Sequence, residues 1–202
     1  MFCQRCRIAI VCLLVLPGVL PLLLADAKPT ANLPKKGTDP GNYVPTTTTW
    51  VVVSPALPKY NGKNICLAGV YRKEKATSIY AQTEEKDVWD LLHAVDRALR
   101  DHPEIKACII ISKPLRSPRG NNISAAQFAE TRALAQAHRF RQVDVSLCRN
   151  PSRLLFKKNT LIKFVYSEKG IVKMSKQFPT TGQPLKEAAA LIEAVLKISA
   201  AR

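Results

Sequence analysis

The chain has no glycine-rich phosphate loop, no G-x-S-x-G elbow and no H-E-x-x-H pair. Nucleotide-cradling, serine-hydrolase and zinc-protease chemistry therefore lack their usual carriers. Histidine is scarce, with 3 residues in 202. His93 and Asp96, three apart, could share a metal or proton task, but two ligands without a third make a poor metal site. They read as a surface polar pair, and no metal or other cofactor is expected. Aromatics are only 6% of the chain. The densest basic stretch, RNPSRLLFKK, holds one of them, Phe156. Binding of single-stranded nucleic acid couples a basic groove to several stacking rings, so a nucleic-acid partner is not expected. Acidic residues are few in the second half. Residues 105–202 hold 18 Lys/Arg against 5 Asp/Glu, a balance of +13, whereas residues 28–104 balance at +2. Such a bias points to an anionic neighbour. Arg149, Arg153, Lys157 and Lys158 are the candidate anion-binding residues. No nucleophile stands with a base, so no catalytic residue is assigned and the chain is not expected to be an enzyme.

Cysteine is also sparse where it would matter. Cys3, Cys6 and Cys12 lie in or before an apolar segment, leaving Cys66, Cys108 and Cys148 beyond it. Three thiols cannot complete a disulfide framework. All three sit among apolar neighbours and read as buried core residues, with one disulfide as the alternative.

What is present begins at the N-terminus. Residues 8–25 carry no charge, and Arg5 and Arg7 precede them. The run is just long enough to span a bilayer, and it also fits a signal peptide ending in Ala25-Asp26-Ala27. Residues 1–27 are therefore a signal peptide or a single membrane anchor. Either way the remainder is extracytoplasmic: anchored in an inner membrane facing the periplasm, or released after cleavage following Ala27. Residues 28–47, rich in Pro, Thr, Lys and Gly, read as an extended linker.

Residues 48–202 carry alternating strand and helix signals. Strands are predicted over 48–54 and 64–72, a helix over 84–101 capped by Thr83, and a doubly buried strand over 106–112. A helix over 125–138 carries a capping box, Ser124 with Gln127. Strands over 142–148, 160–167 and 171–175 follow, the last two as a hairpin around Glu168-Lys169-Gly170. A closing helix over 184–199 has Pro184 at its first position. The order β-β-α-β-α-β-β-β-α predicts an α+β (α/β-like) fold, a single mixed sheet with helices packed on it. Residues 70–95 and 165–195 share a layout of strand, basic turn, strand, loop and helix, a weak internal echo.

A family resemblance rests on several stretches together. The short basic N-terminus, the apolar segment, Asn32-Leu33-Pro34-Lys35, VWDLLHAVDRALRDHPEIKACIIIS and AQFAETRALAQAHRFRQVDVSL resemble, in order, the ExbD/TolR biopolymer-transport proteins over about residues 30–148. The resemblance implies a periplasmic domain accessory to envelope transport, a multi-pass inner-membrane motor partner and a homodimer. It implies no proton relay here, because residues 8–25 hold no ionisable group. The segment 149–202 is then a basic C-terminal extension. From charge alone the alternative is an exported, non-catalytic module binding an anionic envelope polymer, peptidoglycan or lipid headgroups. An OmpA-like wall-binding domain is a third possibility, but its Asp and paired Arg are not evident.

Overall fold

The computed structural model describes residues 35–112, 123–148 and 160–201. The chain divides into two units, Met1–Leu33 and Pro34–Arg202, and all described residues belong to the second. Its strands are β1 Thr49–Val53, β2 Asn64–Ile65, β3 Lys75–Ala81, β4 Ile105–Ser112, β5 Val143–Cys148, β6 Ile162–Glu168 and β7 Ile171–Phe178. Its helices are α1 Leu67–Val70, α2 Lys86–Ala98, α3 Ala125–His138, α4 Gly182–Lys186 and α5 Ala188–Ala200. The sheet runs β2-β1-β5-β4-β3-β6-β7. β3, β4 and β5 are parallel to one another, and the strands flanking them pair antiparallel. The predicted mixed sheet with packed helices is what forms.

Two crossovers, β3-α2-β4 and β4-α3-β5, step the same way along the sheet. With the usual right hand they place both helices on one face. α5 returns to that face, and together the helices enclose the main core. Leu91, Leu92 and Val95 of α2, Ala135 of α3 and Leu191 and Val195 of α5 meet Ile79, Ile109, Val145 and Phe164 of the sheet. The opposite face carries no long helix among the described residues. Two smaller clusters cover it: Leu67 and Tyr71 over Val51, Ala76 and Cys108, and Val44 beside Tyr80, Ile110, Cys148, Val165 and Val172.

The largest difference from the sequence reading lies over residues 64–81. The stretch 64–72 was predicted as a strand, yet β2 is only two residues long. The chain then turns through α1 and a 3-10 turn, Tyr71–Lys73, before β3 begins. Cys66 caps α1 through its sulfur, and Gly69 in the third position weakens any strand there. β3 itself, KATSIYA, figures in the sequence reading only as the second strand of the echo and not in the element order, because its polar residues are buried by tertiary contacts. The echo between 70–95 and 165–195 holds only for its second strand and helix: Val70-Tyr71 lies in helix and turn, Val165-Tyr166 in β6.

Residues 35–47, expected to belong to a linker, dock along the β7 edge. Gly41 N–H donates to Val172 O at 2.9 Å, Val172 N–H to Asn42 O at 2.9 Å and Val44 N–H to Gly170 O at 2.9 Å. The β6–β7 turn has positive φ at Lys169 (49°) and Gly170 (77°), as a tight two-residue hairpin needs. Pro184 lies third in the short α4 rather than at the start of the closing helix, because Glu187 separates α4 from α5.

α3 starts as predicted. Gln127 N–H donates to Ser124 Oγ at 3.1 Å, and Ser124 N–H donates to Gln127 Oε1 at 3.1 Å. Ser124→Ala removes one of these reciprocal bonds and should cost about 1 kcal/mol, read as a lowered urea midpoint with unchanged slope. A midpoint equal to wild type would show that α3 does not depend on its cap.

Candidate functional site

A row of polar side chains crosses the thinly covered face. In register, Ser78 of β3 faces Cys108 of β4, which faces Asp144 of β5. Ser78 Oγ and Cys108 Sγ are 3.5 Å apart. Tyr71, delivered by the turn after α1, donates its hydroxyl to Asp144 Oδ2. Asp144 is fully buried. Among the described residues its second oxygen has no hydrogen-bond partner. Burial raises its pKa, while the Tyr71 hydroxyl holds part of that rise back. Tyr71 itself is pushed well above the ordinary phenol range, by burial first and by Asp144 second, and so stays protonated as the donor.

The three described thiols are free and unequal. Burial pushes Cys108 up to about 12 and Cys148 up to about 11. Both remain thiols at neutral pH. Cys66 is half-buried, and its Sγ accepts Gly69 N–H at 3.2 Å. It lies close enough to Cys108 to contribute to that thiol's rise. Cys66 thus combines partial access with a backbone N–H aimed at its sulfur. The sequence placed all three cysteines in the core, and that holds for Cys108 and Cys148 only. The apolar neighbours of Cys66 could not show that it starts a helix.

The buried acid gives a pH signature. Because its folded pKa is raised, Asp144 contributes stability that is full below the ordinary carboxylate pKa of 3.8 and is lost as pH rises through the folded value. Lys106, Tyr71 and Cys108 are the titratable groups that interact with it. Asp144→Asn removes this slope, so the variant's unfolding free energy should gain on wild type between about pH 4 and pH 8. A difference that stays constant over that range would mean the carboxyl does not titrate in the fold.

The histidines form a different arrangement from the one expected. His93 does not pair with Asp96. Its Nε2 lies 2.7 Å from His138 Nδ1, so one ring donates and the other accepts. His138 stacks on Trp89, with centroids 4.9 Å apart. Burial and His93 hold the His138 pKa low. Asp96 is buried. Its Oδ1 accepts Arg141 N–H and Gln142 N–H, each at 2.7 Å. The partners come from α3 and the turn after it, elements that local spacing cannot bring together. Among the described residues, no three His, Cys, Asp or Glu side chains are grouped to hold a metal ion. Arg149, Arg153, Lys157 and Lys158 lie outside the described residues, as do Cys3, Cys6, Cys12 and the apolar N-terminal segment. No helix among the described residues is long and apolar enough to cross a membrane.

No family model matches the sequence. No curated protein matches it. Solved structures do. One assigned as a thiol:disulfide interchange protein, DsbE, from Chlorobium tepidum superposes with TM-score 0.51 at 10% identity, covering 78% of this chain and 98% of that one. A thioredoxin-like protein from Aeropyrum pernix gives 0.50 at 12% identity, covering 76% and 89%. The fold is thioredoxin-like. An uncharacterized conserved protein from Geobacillus kaustophilus is similar at the same level, with TM-score 0.50 and 13% identity over 78% and 84%.

This overturns the ExbD/TolR resemblance, which rested on element order and carried no diagnostic motif. With it goes the expected role in transmembrane transport across the envelope. The charge-based alternative of a polymer-binding module gains no support from these neighbours. The expectation of a non-enzyme is corrected too, since the thioredoxin-like fold is shared with a protein assigned to thiol:disulfide interchange. In this chain the helix after the first parallel strand, α2, opens Lys86-Asp87-Val88 and carries no cysteine. A C-x-x-C pair at a helix N-terminus is the usual way to acidify a thiol. Any thiol chemistry among the described residues must therefore start elsewhere.

Proposed function

We propose that this chain is an exported thiol–disulfide exchange protein in which Cys66 is the exchanging sulfur. The observation that carries the reading is the Gly69 N–H donated to a half-buried Cys66 Sγ, while the other two described thiols are buried and protonated. The thioredoxin-like fold and the N-terminal apolar segment support it. In an extracytoplasmic compartment, disulfides form and persist, so an accessible free thiol meets disulfide partners. The N-terminal segment serves as anchor or cleaved signal, and the exchange is the same in either case.

The Cys66 thiolate attacks one sulfur of a partner disulfide. A new S–S bond forms to Cys66, and the other partner sulfur leaves as a thiolate that takes a proton from water. A second thiolate, the released one or that of a small-molecule thiol, attacks the mixed disulfide and restores Cys66. Cys108, held protonated by burial, contributes no attacking thiolate at neutral pH. The test uses the full chain with Cys3, Cys6 and Cys12 changed to Ser and an aromatic disulfide reagent under native conditions. One thiol should react in a fast phase that Cys66→Ser removes, while the buried Cys108 and Cys148 react only on unfolding. A fast phase that survives Cys66→Ser, or none in the starting chain, overturns the reading.

A further inference from the structure

Where the docked N-terminal segment, the turn after α1 and the β6–β7 hairpin meet, two adjoining clefts share Arg72. The inner one, about 150 Å³, is lined by Lys36, Tyr43, Thr46, Arg72 and Gly170 among others. The outer one, about 480 Å³, is lined by Arg72, Lys73 and Lys169. Four cations from three separate chain segments thus converge on one place. None of them forms an ion pair with a carboxylate among the described residues.

Arg72 is held in position. Its guanidinium lies over the Tyr43 ring, 5.5 Å from the centroid. Its stem lies against Gly170, where an added Cβ would come within 2.9 Å of Arg72 Cγ. Gly170 also has φ +77°. The glycine is therefore required twice, for the turn and for the arginine. A cation fixed between a ring and a backbone loses little side-chain freedom when it binds, and a guanidinium presents paired donors to a tetrahedral oxyanion.

We propose that this double cleft binds a phosphate dianion, with the oxyanion in the inner cleft and room in the outer one for the rest of a monoester. A carboxylate would balance one of four converging charges, and a dianion balances two. Thr46 supplies a hydroxyl that can donate to it. The site does not depend on Cys66, and its failure would leave the exchange reading untouched.

The experiment measures thermal unfolding of the full chain in inorganic phosphate against chloride at equal ionic strength, with glycerol phosphate as a second probe. Wild type should be stabilised saturably by phosphate. Arg72→Gln should weaken the apparent Kd about tenfold or more, and Lys169→Gln should weaken it in the same direction. Arg97→Gln, an equal charge loss on a helix of the opposite face, should leave it unchanged. Tighter binding of glycerol phosphate identifies an ester site, and equal binding identifies a site for the free oxyanion. A wild type that does not respond overturns the proposal, as does a response lost equally in Arg97→Gln.

Discussion

Asp96→Ala should lower the unfolding free energy by about 3 kcal/mol. The side chain lies on α2 and is buried, and its Oδ1 takes two backbone N–H groups from the turn leading into β5. Removing the acceptor leaves both part-buried donors without their partner, at about 1–3 kcal/mol for each. The third contact, Arg100 Nη2 to Oδ2 at 3.3 Å, adds little, because nearly half of the arginine side chain is in solvent. Asp96→Asn keeps an oxygen in the same position and should lose less than half as much. Urea melts of the two variants decide the matter. Equal losses would mean that the charge, and not the acceptor, fixes the turn.

Ile109→Ala should cost a similar amount, about 2–5 kcal/mol. Ile109 has no exposed surface, and its strand lies between two parallel neighbours, facing Ile79 on one side and Val145 on the other. The helices close over it within the main core. Truncation leaves a cavity that rigid strands cannot collapse to fill. Ile110→Ala probes the other face, where the covering cluster is small, so its cost should be lower. A cost for Ile110→Ala as large as that for Ile109→Ala would show that the thin face is packed as firmly as the helical one. The ratio of the two midpoints is the measurement.

The sequence alone determined the parts that obey local rules. The run KACIIIS was readable as a doubly buried strand because a central parallel strand has no polar face. The Ser124–Gln127 box placed α3 because capping is a contact between residues three apart. The Lys169-Gly170 turn marked the hairpin because few residue types accept positive φ. From these came a mixed sheet with helices packed on it.

Tertiary structure decided the rest. KATSIYA is a central strand only because β4 and β6 pair with it on both sides, and its Ser and Thr residues are buried there. Asp96 reads as a surface acid until the turn after α3 is folded against it. Cys66 looks like another apolar-flanked core cysteine until α1 forms and Gly69 turns its N–H toward sulfur. The four cations of the double cleft lie more than 130 positions apart in the chain at their extremes, Lys36 to Lys169. Charge counting saw the bias and pointed to Arg149–Lys158, which lie outside the described residues, because linear density is all that a sequence displays. Element order likewise pointed to the wrong family, since order does not reveal which strands are neighbours. Long-range pairing fixes that, and its energy comes from apolar surface that is buried only when distant segments meet.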